Sequence, residues 1–338
     1  MPSHLIKNQV RNFNQISISK KEGTITKTSS LLKKFIDEIK WMLYASKVIP
    51  QHIPQIVSYS LNSSALFLKY KFIPVDTLHY SFVFNKGKTD WNYVIEKYQE
   101  LIHNMSNIHP TKFNYNNVRK QLIQMYIQKT IDRLTEISIQ SKFAPFFIND
   151  HVIINQKKYP SLKRILLWFE NQSKLINKKH SSNLIKSICT PRLENYTFFH
   201  GDLCFSNVFI DENADKIYCI DPRGSFGNSK IYGDKLFEYA KIYESVDGLY
   251  DFVIEDKFLL KFNGNVFHYK LLSNFNTTKI GIIFTRLFPK QFAEEIALIE
   301  SLQFLCMIPW HSDHYRRQLI FICLGITRFW NIIKKEWK

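Results

Sequence analysis

The chain has 338 residues, with 46 lysines and arginines against 29 acidic residues and a formal net charge of +17. Apolar residues make up 45% and aromatics 15%, with 10 glycines and 11 prolines, which excludes a disordered, collagen-like or low-complexity chain. Its length fits two lobes, or one large domain with insertions.

In chain order, ISIS and TITKT between Ile16 and Ser30 read as a hairpin turned by Lys20–Gly23. A helix follows in SSLLKKFIDEIKWMLYAS, where Leu32, Phe35, Ile36, Ile39 and Leu43 recur at helical spacing and Ser29 or Ser30 would cap it. Pro50 and Pro54 end that helix, and IVSYSL and ALFLKYKFI are two strands joined by Asn62–Ser64. A mixed connection covers Val75–Asp90. Beyond it Trp91–Ile108, Asn116–Ile139 and Leu162–Ile188 read as helical, Thr197–Ile220 as a short β island, and Lys235 to the C-terminus as helical again. The expectation is an α+β fold with a first lobe over 1–75 and a larger, mainly helical lobe over 76–338.

Five scattered cysteines without a CxxC pair fit reduced thiols better than a disulfide framework or zinc site. The N-terminal MPSHLIKNQVRNF lacks the apolar core of a signal peptide. No apolar run reaches the roughly 18 residues that span a bilayer; Leu302–Ile308 and Leu319–Ile326 read as buried helices. A cytoplasmic protein without a membrane span is expected. The positive charge suits nucleic acid, but only 10 of the 46 basic residues are Arg. Abundant Lys, Ile and Asn together are what a low-GC genome produces with no polyanion partner. No basic-aromatic recognition motif accompanies the charge, so nucleic acid is the lesser reading.

The chemistry sits in FFHGDLCFSNVFIDENADKIYCIDPRG, residues 198–224. VFI and IYCI are strand segments with a polar turn at Asp211–Asp215. Paired antiparallel, they would bring Asn207 opposite Asp221, about 5 Å across the ladder. A carboxylate and an amide oxygen meeting there suit Mg²⁺, which completes its shell with water and phosphate oxygens. Asp202, in the loop entering the hairpin, would then be free to act on a substrate hydroxyl. A bland alternative is a pair of ordinary turn acids.

The string His200-Gly201-Asp202-Leu203-Cys204-Phe205-Ser206-Asn207 keeps the Asp–x4–Asn spacing of the protein-kinase catalytic loop. With Gly in second place it resembles more closely the aminoglycoside phosphotransferase and choline kinase superfamily. That resemblance implies a bilobal, protein-kinase-like fold and transfer of the γ-phosphoryl of ATP to a small-molecule hydroxyl. It implies Asp202 as the residue that orients or deprotonates the acceptor, with Asn207 and Asp221 on Mg²⁺. GDKLFEYAK at Gly233–Lys241 resembles the family's D-x-x-x-D-x-A segment. Asp234 would buttress the loop, and Glu238 stands where Asp is usual. His200 is expected to lock the loop by hydrogen bonds.

A kinase-like first lobe should offer a strand lysine held by a helix glutamate. Lys27 in TITKT and Glu38 on the helix fit that order, while Lys33, Lys34 and Lys40 read as surface. No G-x-G-x-x-G precedes Lys27; Ser17, Ser19 and Lys20–Gly23 are the nearest candidates for a phosphate-covering loop. Phe67–Ile73 would run into the hinge that takes the adenine. Asp221 is followed by Pro-Arg-Gly, which argues against a switchable activation segment and a protein substrate. Arg223 could meet a phosphate or acidic group, or form a structural salt bridge. I-D-P-R-G with the later Tyr250-Asp251-Phe252 resembles enzymes of capsule or surface-polysaccharide clusters, implying a sugar or glycan precursor. His311 and His314 have H-x-x-H spacing, but a role for Trp310, His311 and Asp313 in lining the acceptor pocket is favoured over metal. The alternative function is a catalytically idle kinase-like module that binds nucleotide or a partner.

Overall fold

The computed structural model describes residues 13–63, 65–84, 89–178, 180–273 and 277–337. The signal-peptide reading of the N-terminal stretch falls on residues 1–12, outside the described residues, as does Ser64 of the expected strand connection.

The fold is α+β: a small N-terminal antiparallel sheet with one long helix, followed by a mostly helical remainder. Strands β1 (Asn14–Ser19), β2 (Thr24–Ser29), β3 (Ile56–Ser60) and β4 (Phe67–Lys71) pair antiparallel in the order β1-β2-β4-β3. Between β2 and β3 runs α1 (Leu32–Val48), which buries Phe35, Ile39, Met42 and Trp41 at helical spacing. The expected serine cap is absent. Helix α1 starts at Leu32, and the Ser29 hydroxyl instead accepts from the Leu31 N–H, outside the first turn. Lys33, Lys34 and Lys40 are exposed, as expected.

The chain packs as two compact units, each discontinuous in sequence. The first is drawn from Met1–Thr111, Glu194–Glu238 and Phe275–Leu287. Besides the sheet and α1 it holds the helices Leu78–Phe84 and Trp91–Ser106 and the β-hairpin of Val208–Asp211 with Lys216–Cys219. Asp90 caps the second of these helices through its carboxylate.

The second unit is drawn from Lys112–Leu193, Tyr239–Asn274 and Phe288–Lys338. Its long helices Ala293–Met307 and Tyr315–Ile333 hold the two apolar runs, with Ile308 just past the first helix, and both runs are buried. Among the described residues no helix is long and apolar enough to cross a membrane. Here the helical reading from Lys235 onward needs correction at residues 258–271, and strands also fill part of the gap left before Leu162. His151–Ile154 and Lys157–Pro160 form one hairpin, Phe258–Asn263 and Val266–Leu271 another, and a parallel pairing joins them into a four-stranded sheet. The expected helix Leu162–Ile188 is two helices, Leu162–Leu175 and Asn183–Ile188. All five cysteines are buried and none is in a disulfide.

Candidate functional site

Five residues singled out in the sequence, Lys27, Glu38, Asp202, Asn207 and Asp221, all belong to the first unit. Lys27 lies on β2 with only 4% of its surface exposed, and Glu38 lies on the buried face of α1. The Lys27 ammonium donates to both Glu38 oxygens, at 2.7 and 2.9 Å, and to Asp221 Oδ1 at 2.7 Å. One buried cation thus bridges a helix carboxylate and the carboxylate that follows the hairpin.

Burial alone would depress the Lys27 ammonium, but the Asp221 and Glu38 charges hold it above its ordinary range. Burial likewise pushes the Glu38 carboxyl up to about 7, against the pull of Lys27. For Asp221 burial acts upward too, yet Lys27 and Lys34 keep it below the usual carboxylate range. The proton therefore stays on Lys27, and Asp221 is the carboxylate that remains ionised.

The expected pairing of Asn207 with Asp221 is offset by one residue. Val208 pairs with Cys219, and the Ile220 N–H donates to the Asn207 carbonyl, so Asn207 stands opposite Ile220. A slip of one residue turns a side chain to the other face of a ladder. Asp221 lies past the end of the paired strand, in the left-handed region at φ 57°.

The loop before the hairpin is held from several sides. The His200 Nε2–H donates to the Ile220 carbonyl at 3.1 Å, while Nδ1 accepts from the Asp202 N–H at 3.2 Å. Those two bonds define a neutral imidazole, and burial lowers its pKa to about 4. The loop-locking role expected for His200 is the arrangement found. One oxygen of Glu238 accepts from the N–H groups of both His200 and Gly201. Asp234, for which the buttress was expected, accepts from the Leu236 N–H at the start of its helix.

Gly201 explains the second place of the motif. It sits at φ 81°, and a Cβ there would lie 2.5 Å from the Phe199 ring and 2.8 Å from Arg223 Cβ. Gly224 is equally constrained: its own Cβ would meet the Asp37 carbonyl of α1 at 2.7 Å. The Pro-Arg-Gly that replaces Phe-Gly thus lays its backbone against the helix that carries Glu38. The Arg223 N–H donates to the His200 carbonyl, and its Nε–H to the Ser225 carbonyl.

Asn207 spends its amide nitrogen on Asp202, donating to the carbonyl at 2.9 Å and to Oδ2 at 3.1 Å. Asp202 is therefore oriented by Asn207, a contact the spacing alone did not reveal. Below the loop, Phe205 packs edge-on to Phe82 and near Trp91, Tyr98 and Phe284. The Tyr98 hydroxyl donates to the Leu203 carbonyl. Trp41 stacks on Phe198 at 4.8 Å and donates its indole N–H to the Phe199 carbonyl. The aromatic content of the sequence was the only signal for this support.

In the second unit His311 is buried against Phe321 and Tyr250, whereas His314 lies 3.5 Å from Asp313. Among the described residues no group of three or more His, Cys, Asp or Glu side chains could hold a metal ion. The ligands expected for Mg²⁺, the Asn207 amide oxygen and the Asp221 carboxylate, are oxygen donors of the type that ion takes alongside water and phosphate.

No protein-family model matches the chain, and no curated protein matches it in sequence. Solved structures are similar at a low level. A gentamicin–APH(2")-IIa complex is 12% identical with a TM-score of 0.48, covering 96% of this chain and 93% of that one. The choline kinase LicA from Streptococcus pneumoniae is 12% identical with a TM-score of 0.45, covering 97% and 90%. An ADP-bound aminoglycoside phosphotransferase, APH(2'')-Ib, is 11% identical with a TM-score of 0.47, covering 96% and 97%. Likenesses this distant carry no weight for activity, and the chemistry rests on the side chains above.

Proposed function

We propose that this chain is an ATP- and Mg²⁺-dependent phosphotransferase acting on the hydroxyl of a small molecule, as in the aminoglycoside phosphotransferase and choline kinase superfamily. Residues 1–75 form the nucleotide-binding lobe in this reading, and 76–338 the catalytic and substrate-binding lobe. The observation that carries it is the Lys27 ammonium, buried, held by Glu38 and touching Asp221. A strand lysine fixed by a helix glutamate supplies fixed positive charge for nucleotide phosphates. Asn207 and Asp221 would hold Mg²⁺, which when bound neutralises charge on those phosphates.

Asp202 is the base of the reaction. Its carboxylate aligns the acceptor hydroxyl and receives its proton, while the acceptor oxygen bonds to the γ-phosphorus, the bridging P–O bond breaks and ADP departs. Asn207 fixes the Asp202 carboxylate through its amide. His200, neutral and doubly hydrogen-bonded, acts on loop shape and not on the proton. The acceptor is a sugar, amino alcohol or glycan precursor, a choice motivated by the resemblance of I-D-P-R-G and Tyr250-Asp251-Phe252 to enzymes of capsule or surface-polysaccharide clusters. We place the reaction in a cytoplasmic setting.

The test is Asp202→Ala assayed with ATP over a panel of sugars and amino alcohols. Transfer should fall by at least about 10²-fold while MgATP still raises the melting temperature. Undiminished transfer in the variant would remove Asp202 from this role. A second reading, a catalytically idle nucleotide- or partner-binding module, draws on the β1–β2 turn, which holds only Gly23 in place of a glycine-rich loop. Nucleotide binding by the wild type with no transfer to any acceptor would favour it.

A further inference from the structure

The four-stranded sheet of the second unit has a solvent face that the proposed reaction does not use. Residues paired directly across strands point to the same side. Lys270 faces Leu259, His268 faces Lys261, and Val266 and Lys158 both pair with Ile153. The opposite side buries Phe258, Leu260, Phe267, Val152 and Ile154. What remains outward is a set of lysines, Lys158, Lys261 and Lys270, around Leu259 and Ile153, which are 58% and 37% exposed.

No Asp or Glu occurs in any of the four strands. The nearest acids in sequence are already neutralised, Asp150 by Lys163 and Asp256 by Arg317. None of the three outward lysines has an ion-pair partner among the described residues. Lysines on edge strands often serve only to block strand pairing. That explanation fails for Lys270 and His268, which lie on an interior strand of the order.

We propose that this sheet face docks peripherally on an anionic lipid bilayer. Uncompensated lysines meet the headgroup charge, and Leu259 and Ile153 between them reach the headgroup–acyl boundary. Nucleic acid fits less well. The outward positions carry no Phe, Tyr or Trp ring to stack a base and no arginine fork for phosphate. With no spanning helix among the described residues, the contact is a surface one.

The test is sedimentation of the full chain with vesicles of phosphatidylcholine containing phosphatidylglycerol, against phosphatidylcholine alone. Binding should require the anionic lipid and weaken as salt rises. At about 1 kcal/mol per lysine, Lys261→Glu with Lys270→Glu should lower partitioning roughly thirtyfold, and Leu259→Ser should lower it further. A control pair on exposed helix positions, Lys120→Glu with Lys174→Glu, changes net charge equally and should have a much smaller effect. The proposal is overturned if both pairs weaken binding alike, if neutral vesicles bind as well, or if only single-stranded RNA is retained.

Discussion

Lys27 concentrates the electrostatics of the candidate site in one atom. Its ammonium makes three short contacts with two carboxylates, and taking it away leaves two carboxylates together with no cation between them, one of them, Glu38, buried. Removing one partner of a buried pair typically costs about 3–5 kcal/mol, and Glu38 can relieve part of that by taking up a proton. Lys27→Met should therefore lose about 3 kcal/mol of stability near pH 8 and distinctly less near pH 5, where a Glu38 without its partner is protonated. Urea unfolding of the nucleotide-free variant at the two pH values checks this. The pair was legible in the sequence because a strand lysine and a helix glutamate 11 residues apart are local. Contact with Asp221 was not, since 194 residues separate the two.

At the scale of elements, the loop that carries Asp202 and Asn207 depends on its aromatic bed. Phe205 is fully buried among Phe82, Trp91, Tyr98 and Phe284, and it lies between Asp202 and Asn207 in the chain. Phe205→Ala should cost about 3–5 kcal/mol as a large-to-small core change. It should also impair phosphate transfer more than MgATP binding, because the loop carrying Asp202 loses its floor; a thermal-shift titration beside the transfer assay separates the two effects. The hairpin of residues 208–219 was visible as two apolar runs about a polar turn, but its register was not. That register follows from the backbone pairing at Val208–Cys219, and the left-handed turn at Asp221 has no compositional mark. The sheet of the second unit shows both outcomes of turn chemistry. Asn263-Gly264 is a strong hairpin signal that helical neighbours overshadowed. Asn155 and Gln156 both take positive φ, at 47° and 68°, and glutamine there announces nothing.

For the whole molecule, acid sensitivity should reflect His200. Its folded pKa of about 4 lies below the ordinary 6.5, so between those values the unfolded chain binds more protons and stability falls as pH drops. A shift of that size corresponds to about 3 kcal/mol, present above pH 6.5 and lost as pH approaches 4. Glu38, raised to about 7, acts in the opposite sense between 4.5 and 7, favouring the folded state at the lower end. The two partly offset in a global unfolding curve. Following the His200 imidazole resonance through a pH titration isolates it: no protonation should occur above about pH 5.

The discontinuity of the first unit bears on how the chain is made. Its sheet and α1 are synthesised before the loop and hairpin with Asp202 and Asp221, of which Asp221 follows Lys27 by 194 residues, and Phe275–Leu287 comes later still. Until then Lys27 has only Glu38, Phe205 lacks the Phe284 ring, and the backbone at Gly224 is not yet seated on α1. Vectorial synthesis therefore leaves the nascent N-terminal sheet waiting for distant sequence, and a chain stalled before residue 275 cannot complete the aromatic floor of the candidate site. The glycine that lies against a helix backbone is, in that sense, a late-arriving keystone of assembly as well as a turn.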